Sequence, residues 1–382
     1  MRRTTLLIAA LLGTVVPACA SETAAPAAEK RASDDGRLMP PEKLTEHVWY
    51  MRQPERLWSA VIGNVVIIEQ SDGVVLVDSG GSVEDGRDVI RAVAGLTSKP
   101  VKAIVVTHWH NDHPLGIPGI LERFPKARII ATAKTAELMA DPEVLGVGVG
   151  KPDPKRLRTR EEGSRQRSEE YRKMAANPSV PEDVRAEYRA EATWILERLR
   201  RQTENYVVVP AETFTDKLLI DDPAVPVQLL NLGRANTKGD ALVWLPRQQL
   251  VATGDVVVSP TPYGFVSPIA PWLATLDQLE RYSFRTLVPG HGPVQRDRSY
   301  LATLRWSMND IRRQAIDLAK TGATPEQAQD KFDTSEHHKR FGADNAWEKR
   351  WLDGYWLAGM FDTAFKQAAG ISLEPGSDGG EE

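Results

Sequence analysis

The sequence has 382 residues, enough for one large domain or two of medium size. Its hydrophobic fraction of 41% and charged fraction of 26% are ordinary values for a soluble globular protein. A formal net charge of −4 gives no electrostatic reason to expect nucleic acid as a partner, because nucleic-acid-binding proteins usually carry a basic face. The expected partner is a small-molecule substrate.

Residues 1–20 have the pattern of a secretory signal peptide, with an arginine pair followed by a short apolar run at 6–16. Two processing patterns fit its end, and both stay open. Residues 18–20 read Ala-Cys-Ala, a small-residue cleavage site, while residues 16–19 resemble a lipobox that would place a lipid on Cys19. Cys19 is the only cysteine, so the mature protein is expected to have no internal disulfide. We expect export across the inner membrane to the periplasm, with that lipid as the only link to a membrane, and a disordered tether over residues 21–40.

Strand-like and helix-like segments alternate in the main domain, which we place at residues 41–296. Strands that alternate with helices predict an α/β sandwich. The first predicted elements are strands at 47–51, 64–68 and 74–77, a helix at 83–94, a strand at 103–106, a helix at 121–124, a strand at 127–131 and a helix at 133–139.

Residues 151–205 interrupt this alternation with dense charge of both signs and apolar residues at helical spacing. They predict an inserted helical hairpin with a solvated face. Strand-like runs resume at 206–209, 218–220, 227–232, 241–245, 250–253 and 286–288. Residues 297–370 are predicted to be C-terminal helices, and residues 371–382 a disordered acidic tail.

Three histidines and a carboxylate follow the buried strand that ends at Val106. Alternate residues of an extended chain point the same way, so His108, His110 and Asp112 are expected to share a side, and His113 can turn in beside them. Imidazole and carboxylate are ligands that zinc accepts. The spacing therefore predicts a metal site.

Two more ligand-type residues follow other predicted strands. Asp255 comes after the strand at 250–253, and His291 lies between glycines after the strand at 286–288. Because α/β enzymes place their chemistry at strand ends along one sheet edge, we expect both residues to join the same site.

The sequence resembles the metallo-β-lactamase superfamily, whose fold is a four-layer αββα sandwich. The resemblance implies up to two metal ions, one held by His108 and His110 and the other by Asp112, His113 and His291. Asp255 would lie between the two ions, and Asp78 would orient the ligands from behind. The matching pieces are Val77-Asp78-Ser79-Gly80, residues 107–116, residues 233–240, Thr253-Gly254-Asp255 and Pro289-Gly290-His291-Gly292.

Asn236 departs from the family pattern. Family members usually carry a third histidine in a G-x-x-H-T-x-G-D motif, and residues 233–240 place Asn236 at that position. An amide oxygen is a poorer zinc ligand than imidazole. We still count Asn236 as a metal-site residue. One or two zinc ions are expected, and the site formed by Asp112, His113 and His291 is expected to bind zinc more tightly than the other. His337 and His338 are interpreted as an exposed helix end.

The expected activity is hydrolysis by a zinc-bound hydroxide that attacks the carbonyl of an ester, thioester, lactone or β-lactam. Asp112 and Asp255 are the expected catalytic carboxylates, and Asp112 could pass a proton to the leaving group. Phosphate and sulfate esters also remain open, as do a metal-binding protein without hydrolytic activity and a di-iron oxidoreductase. Three aromatic residues form either one wall of a substrate pocket or plain packing: Tyr263, Phe265 and Trp272.

Overall fold

The computed structural model describes residues 35–264 and 267–373. The signal peptide, Cys19, most of the tether, Phe265 and most of the tail lie outside the described residues. Residues 35–40 differ from the predicted tether, because Leu38 is buried against the core and the amide of Met39 donates to the carbonyl of Arg52 at 2.7 Å.

Strands form two main sheets and one small pair within the described ranges. Their bounds are β1 Glu42–Thr45, β2 Val48–Met51, β3 Val65–Glu69, β4 Val74–Val77, β5 Val101–Val105, β6 Arg128–Thr132, β7 Gly148–Val149, β8 Tyr206–Val207, β9 Glu212–Phe214, β10 Lys217–Ile220, β11 Val227–Leu230, β12 Leu242–Leu245, β13 Leu250–Ala252 and β14 Thr286–Val288.

The larger sheet has the order β1-β2-β3-β4-β5-β6-β9. Its first four strands are antiparallel, and β4, β5, β6 and β9 run parallel to one another. Val77 of β4 lies beside Val105 of β5. The carboxyl ends of these two strands therefore bring Asp78 and the His108 run to the same edge of the sheet.

The smaller sheet has the order β10-β11-β12-β13-β14. Its strands are antiparallel except for the last pair, in which β14 runs parallel to β13 with Ala252 beside Val288. This parallel pair places Asp255 and His291 just beyond neighbouring strand ends.

Helices cover the outer faces of both sheets. Their bounds are α1 Val83–Leu96, α2 Ile117–Leu121, α3 Ala133–Ala140, α4 Pro142–Leu145, α5 Pro154–Ala176, α6 Glu182–Arg201, α7 Ile269–Leu279, α8 Ser299–Ala319, α9 Pro325–Gln329, α10 Ser335–Phe341, α11 Ala346–Leu352 and α12 Ala358–Ala368, with a 3₁₀ turn at Gly254–Val256 and a π-helical turn at Asp353–Leu357.

Three apolar clusters define four layers. The middle cluster joins the facing sides of the sheets, for example Val75 and Val105 with Val243. The second packs α1 and α2 on the larger sheet, and the third packs α7, α8 and α12 on the smaller sheet. Strands with apolar residues on both faces are expected where both faces are covered. The predicted αββα fold, with its C-terminal helical region, is confirmed.

Residues 151–205 supply α5 and α6 and add no strand to either sheet. Strands β7 and β8 pair at the base of this insertion, outside the main sheets. The expected solvated face holds for most of α5, but α6 buries Arg198 and Arg201. Among the described residues, no helix is long and apolar enough to cross a membrane.

Candidate metal centre

Two histidines of the first motif face each other just beyond β5. Nε2 of His108 lies 2.9 Å from Nδ1 of His110 and 3.5 Å from Oδ2 of Asp255. Nδ1 of His110 lies 3.9 Å from the same carboxylate oxygen. The fold thus brings together three side chains that the sequence assigned to the first metal.

A second group meets the other oxygen of Asp255. Nε2 of His113 lies 3.3 Å from Oδ2 of Asp112 and 3.3 Å from Oδ1 of Asp255. Nε2 of His291 lies 3.0 Å and 3.5 Å from these same two oxygens. Asp255 therefore stands between the two groups, with one oxygen facing each.

Asp78 fixes the orientation of His113 from behind. Its Oδ2 lies 2.8 Å from Nδ1 of His113, and its carboxylate also accepts hydrogen bonds of 2.8 Å from the amide and hydroxyl of Thr107. Asp78 has a φ of 61°, which is uncommon outside glycine. With Nδ1 protonated toward Asp78, Nε2 is the His113 nitrogen available to a metal.

Charge in the centre is arranged around buried carboxylates. Although burial opposes ionisation, the histidines hold the pKa of Asp112 and of Asp255 well below their usual range. The surrounding carboxylates hold the pKa of His113 well above its ordinary value, against the effect of burial, so a metal ion that binds Nε2 would displace a proton. Burial and the charge of His113 lower the pKa of His108 to about 4, so His108 is the neutral imidazole that a metal requires.

The donor set fits a metal ion. Within the described part of the chain, the buried atoms without a hydrogen-bond partner include three that meet in this centre: Oδ2 of Asp112, Nε2 of His113 and Oδ1 of Asp255. Buried polar atoms normally have partners, and these three face one another. Two trios have ligand atoms within 4.8 Å of one another: His108 with His113 and Asp255, and Asp112 with His113 and His291.

Asn236 lies beside this centre, with its amide nitrogen turned toward the backbone. Its Nδ2 donates to the carbonyl of Tyr263 at 3.0 Å and approaches that of Asp255 at 3.5 Å. Its own backbone carbonyl accepts from the Ser267 hydroxyl at 2.7 Å. These bonds tie the loop after β11 to the segment that follows Asp255. Metal ligation by Asn236 stays a prediction.

The proposed pocket residues separate into two environments. Tyr263 is half-buried with its ring 5.8 Å from that of His110, and burial together with the nearby carboxylates raises the pKa of Tyr263. Trp272 is only 1% exposed and donates to the carbonyl of Val256, so it belongs to the core of the α7 layer. Of the two alternatives left open for Trp272, a pocket wall or packing, its burial favours packing.

His337 corrects another expectation. It is fully buried rather than part of an exposed helix end, with Nδ1 3.0 Å from the Ser307 hydroxyl and Nε2 3.2 Å from Oδ2 of Asp310. These contacts hold α10 against α8. His337 therefore has a packing role among the C-terminal helices.

Gly63 and Asn64 serve the centre and were not predicted. The amide of Gly63 donates to the carbonyl of Asp112 at 3.0 Å, and a Cβ there would lie 2.6 Å from the ring of His113. The Asn64 side chain donates at 2.9 Å to two carbonyls of the turn 289–292. A glycine directly before a predicted strand was the available signal, since glycine permits close backbone approach.

The fold and the donor set together define a buried centre of histidines and carboxylates, at the carboxyl ends of strands from both sheets, that can hold a metal ion. The profile of the metallo-beta-lactamase superfamily matches residues 58–291, and the chain belongs to that superfamily. The match includes both histidine motifs and Asp255.

The relatives that the chain resembles include proteins named as two types of hydrolase. The linear primary-alkylsulfatase of Pseudomonas sp. (strain ATCC 19151) is 25% identical over 284 residues, which is 71% of this chain and 50% of that protein. The metallo-beta-lactamase type 2 of Bacteroides fragilis is 32% identical over 95 residues, 23% of this chain and 38% of that protein. The chain thus spans about half the length of the alkylsulfatase.

A solved structure shows the same fold. The stereoselective inverting sec-alkylsulfatase from Pseudomonas sp. superposes with a TM-score of 0.61 over 86% of this chain and 50% of that chain. Its sequence is 17% identical, so the likeness concerns the fold alone.

Proposed function

We propose that this chain is a zinc-dependent hydrolase that cleaves sulfate esters of alkyl alcohols at the centre described above. The proposal that the centre binds a metal ion rests on three buried atoms that face one another and, within the described ranges, lack a hydrogen-bond partner, one each from Asp112, His113 and Asp255. Buried carboxylates demand a nearby cation, and nitrogen with oxygen ligands suits zinc.

The proposal that the substrates are alkyl sulfate esters is supported by the extent of the sequence matches. The alkylsulfatase aligns over 71% of the chain, whereas the Bacteroides β-lactamase aligns over 23%. The alternative substrates are the carbonyl compounds that the sequence favoured: esters, thioesters, lactones and β-lactams.

The residues of the chain have different roles in the proposed reaction. A bound zinc supplies a water whose pKa is lowered to about 7 and a positive charge for the oxygens of the ester. Asp78 holds the His113 ring so that Nε2 faces the centre. Asp112, whose Oδ2 lies 3.3 Å from Nε2 of His113 and 3.0 Å from Nε2 of His291, would be placed to accept a proton from that water and to return it to the leaving alcohol. Asp255 fixes the two histidine groups relative to each other.

Zinc stoichiometry depends on Asn236. The first group keeps His108, His110 and a share of Asp255, while the second keeps Asp112, His113, His291 and the same carboxylate. Zinc favours four ligands and prefers nitrogen to a neutral oxygen. We therefore expect the second group to bind zinc more tightly, and the first to fill at higher zinc concentration.

The test combines metal analysis with a substrate panel. The purified chain is stripped with a chelator, reloaded with zinc, and assayed on octyl sulfate by sulfate release and on a p-nitrophenyl ester and a chromogenic cephalosporin. We expect sulfate release that is lost with the metal and restored by zinc. Asp112→Asn should abolish it, and the control Asp277→Asn, at a carboxylate on α7 that pairs with Arg305, should not.

Other outcomes point to the alternatives. Turnover of only the carbonyl substrates would replace sulfate esters by that class. Zinc binding without any turnover would favour a non-hydrolytic metal-binding protein. Two bound irons with redox activity would favour a di-iron oxidoreductase. Unchanged turnover after verified metal loss would refute a metal-dependent reaction altogether.

Export to the periplasm, free or with a lipid on Cys19, is the location we propose. The mass of the mature N-terminus separates the two forms, since cleavage before Cys19 with added acyl chains differs from cleavage after Ala20. A full-length chain that stays in the cytoplasm would contradict both.

A further inference from the structure

The segment 79–82, between β4 and α1, holds the backbone of the metal-ligand run. The amide and the hydroxyl of Ser79 both donate to the carbonyl of His113, at 2.8 Å and 2.7 Å. The amide of Gly116 donates to the carbonyl of Gly80 at 3.1 Å. The position of the His113 backbone therefore depends on how this segment is held.

A buried ion pair from the insertion holds the segment. Arg198 of α6 binds Asp85 of α1 through two bonds, Nη1 to Oδ1 at 2.9 Å and Nη2 to Oδ2 at 2.7 Å. Oδ2 of Asp85 also accepts from the amide of Gly81 at 3.0 Å. Arg198 and Asp85 are 1% and 0% exposed, and Nη1 of Arg198 donates as well to the carbonyl of Gly36 at 2.7 Å.

Gly81 lies directly between the guanidinium and a metal-ligand residue. A Cβ built on Gly81 would be 3.0 Å from Cα of Asp112 and 3.2 Å from Nη2 of Arg198. The side chain of Asn205, just beyond α6, donates to the carbonyl of Gly81 at 3.1 Å and accepts from the amide of Val83 at 3.1 Å. The insertion thus contacts the segment on two sides.

We propose that Arg198 is a positioning residue of the metal centre, acting through Asp85 and Gly81 on the backbone of Asp112 and His113. The inserted hairpin is then part of the site's support. The planar guanidinium can form the two parallel bonds and reach Gly36 together, which a lysine ammonium cannot. Arg198→Lys keeps the charge that Asp85 requires and removes this geometry.

The experiment rests on the proposed function, because the wild-type chain must bind metal. Zinc affinity is measured by competition with a chromophoric chelator, and ligand geometry by the visible absorption spectrum of the cobalt-substituted protein. For Arg198→Lys we expect zinc affinity to fall by about 10- to 100-fold, as when support of metal ligands is altered elsewhere, together with a changed cobalt spectrum. The control Arg200→Lys changes an exposed arginine of the same helix and should alter neither.

A folded Arg198→Lys with wild-type affinity and spectrum would overturn the proposal. If that variant does not fold, the double variant Asp85→Asn/Arg198→Gln neutralises both members of the Arg198–Asp85 pair, which proteins tolerate better than the loss of one partner. Arg201, which also binds Asp85 at 3.1 Å, keeps its second partner Asp88 in that variant. The same two measurements on it decide the question. Wild-type protein that binds no zinc would instead contradict the proposed function.

Discussion

Glu191 offers a stability test that does not involve the metal. It lies on α6 with no exposed surface, and its Oε1 accepts from the amide of Ser59 at 2.6 Å and from the Ser59 hydroxyl. Its Oε2 has no hydrogen-bond partner among the described residues. Burial raises the pKa of Glu191 to about 7, although the bonds from Ser59 act in the opposite direction.

The folded protein therefore holds a proton on Glu191 that the unfolded chain, with a pKa near 4.5, releases. The associated stabilisation is complete below pH 4.5 and is lost as the pH rises through about 7. This difference in pKa corresponds to about 3 kcal/mol. Glutamine resembles the protonated acid, so Glu191→Gln should equal the wild type near pH 4.5 and exceed its unfolding free energy by about 3 kcal/mol at pH 8.

Urea unfolding of both proteins at pH 5, 6, 7 and 8 measures this gap, and any metal contribution common to both cancels in the difference. Glu187→Gln, at a carboxylate of the same helix that pairs with Arg56, is the matched control and should stay within about 0.5 kcal/mol of the wild type. A Glu191→Gln gap that does not change with pH would refute the claim that the buried carboxyl carries a proton.

Three further substitutions test the centre. Gly63→Ala places a Cβ 2.6 Å from the His113 ring and should weaken zinc binding at least tenfold by chelator competition, whereas Gly95→Ala meets no atom within 4 Å and should leave it unchanged. Asp78→Asn, which still suits a positive φ, should lower zinc affinity about 10- to 100-fold with little change in the far-UV circular dichroism. Asn236→His should raise the affinity of the weaker equivalent by about 10- to 100-fold in calorimetry; two equally tight equivalents in the wild type would show that the amide is no handicap.

Much of the site could be predicted because its ligands follow strands whose apolar runs are plain in the sequence. The strand predicted at 286–288 has those bounds in the structure, and His291 follows it as expected. A parallel neighbour then fixes which strand ends meet, and Asp255 and His291 come together for that reason. The predicted helix at 83–94 likewise begins at Val83.

Contacts between distant segments account for most of what was missed. Arg198 lies in a charge-dense stretch that predicts a solvated face, yet its partner Asp85 is 113 residues away and both are buried. His337 stands among charged neighbours, and its partners in the buried interior, Ser307 and Asp310, lie 30 and 27 residues away. No local pattern encodes such pairs.

Short elements and prolines explain other differences. Helix α7 is not among the predicted elements. Prolines stand at and before its start, but Pro271 lies in its first turn, where proline is tolerated. Strands β1 and β9 are only four and three residues long and mostly polar, which is too short to show a period.

The hydrogen bonds of Asn64 also show which parts of the centre become available first during synthesis of the chain. Their acceptors lie 225 and 228 residues further along the chain. At ribosomal rates of about 5 to 20 residues per second, Asn64 emerges roughly ten seconds or more before its partners exist. His291 is equally late, so a nascent chain that ends before it carries an incomplete donor set. A metal ion that needs the complete donor set would therefore bind only after most of the polypeptide has been synthesised, which would make the centre one of the last parts of the fold to mature.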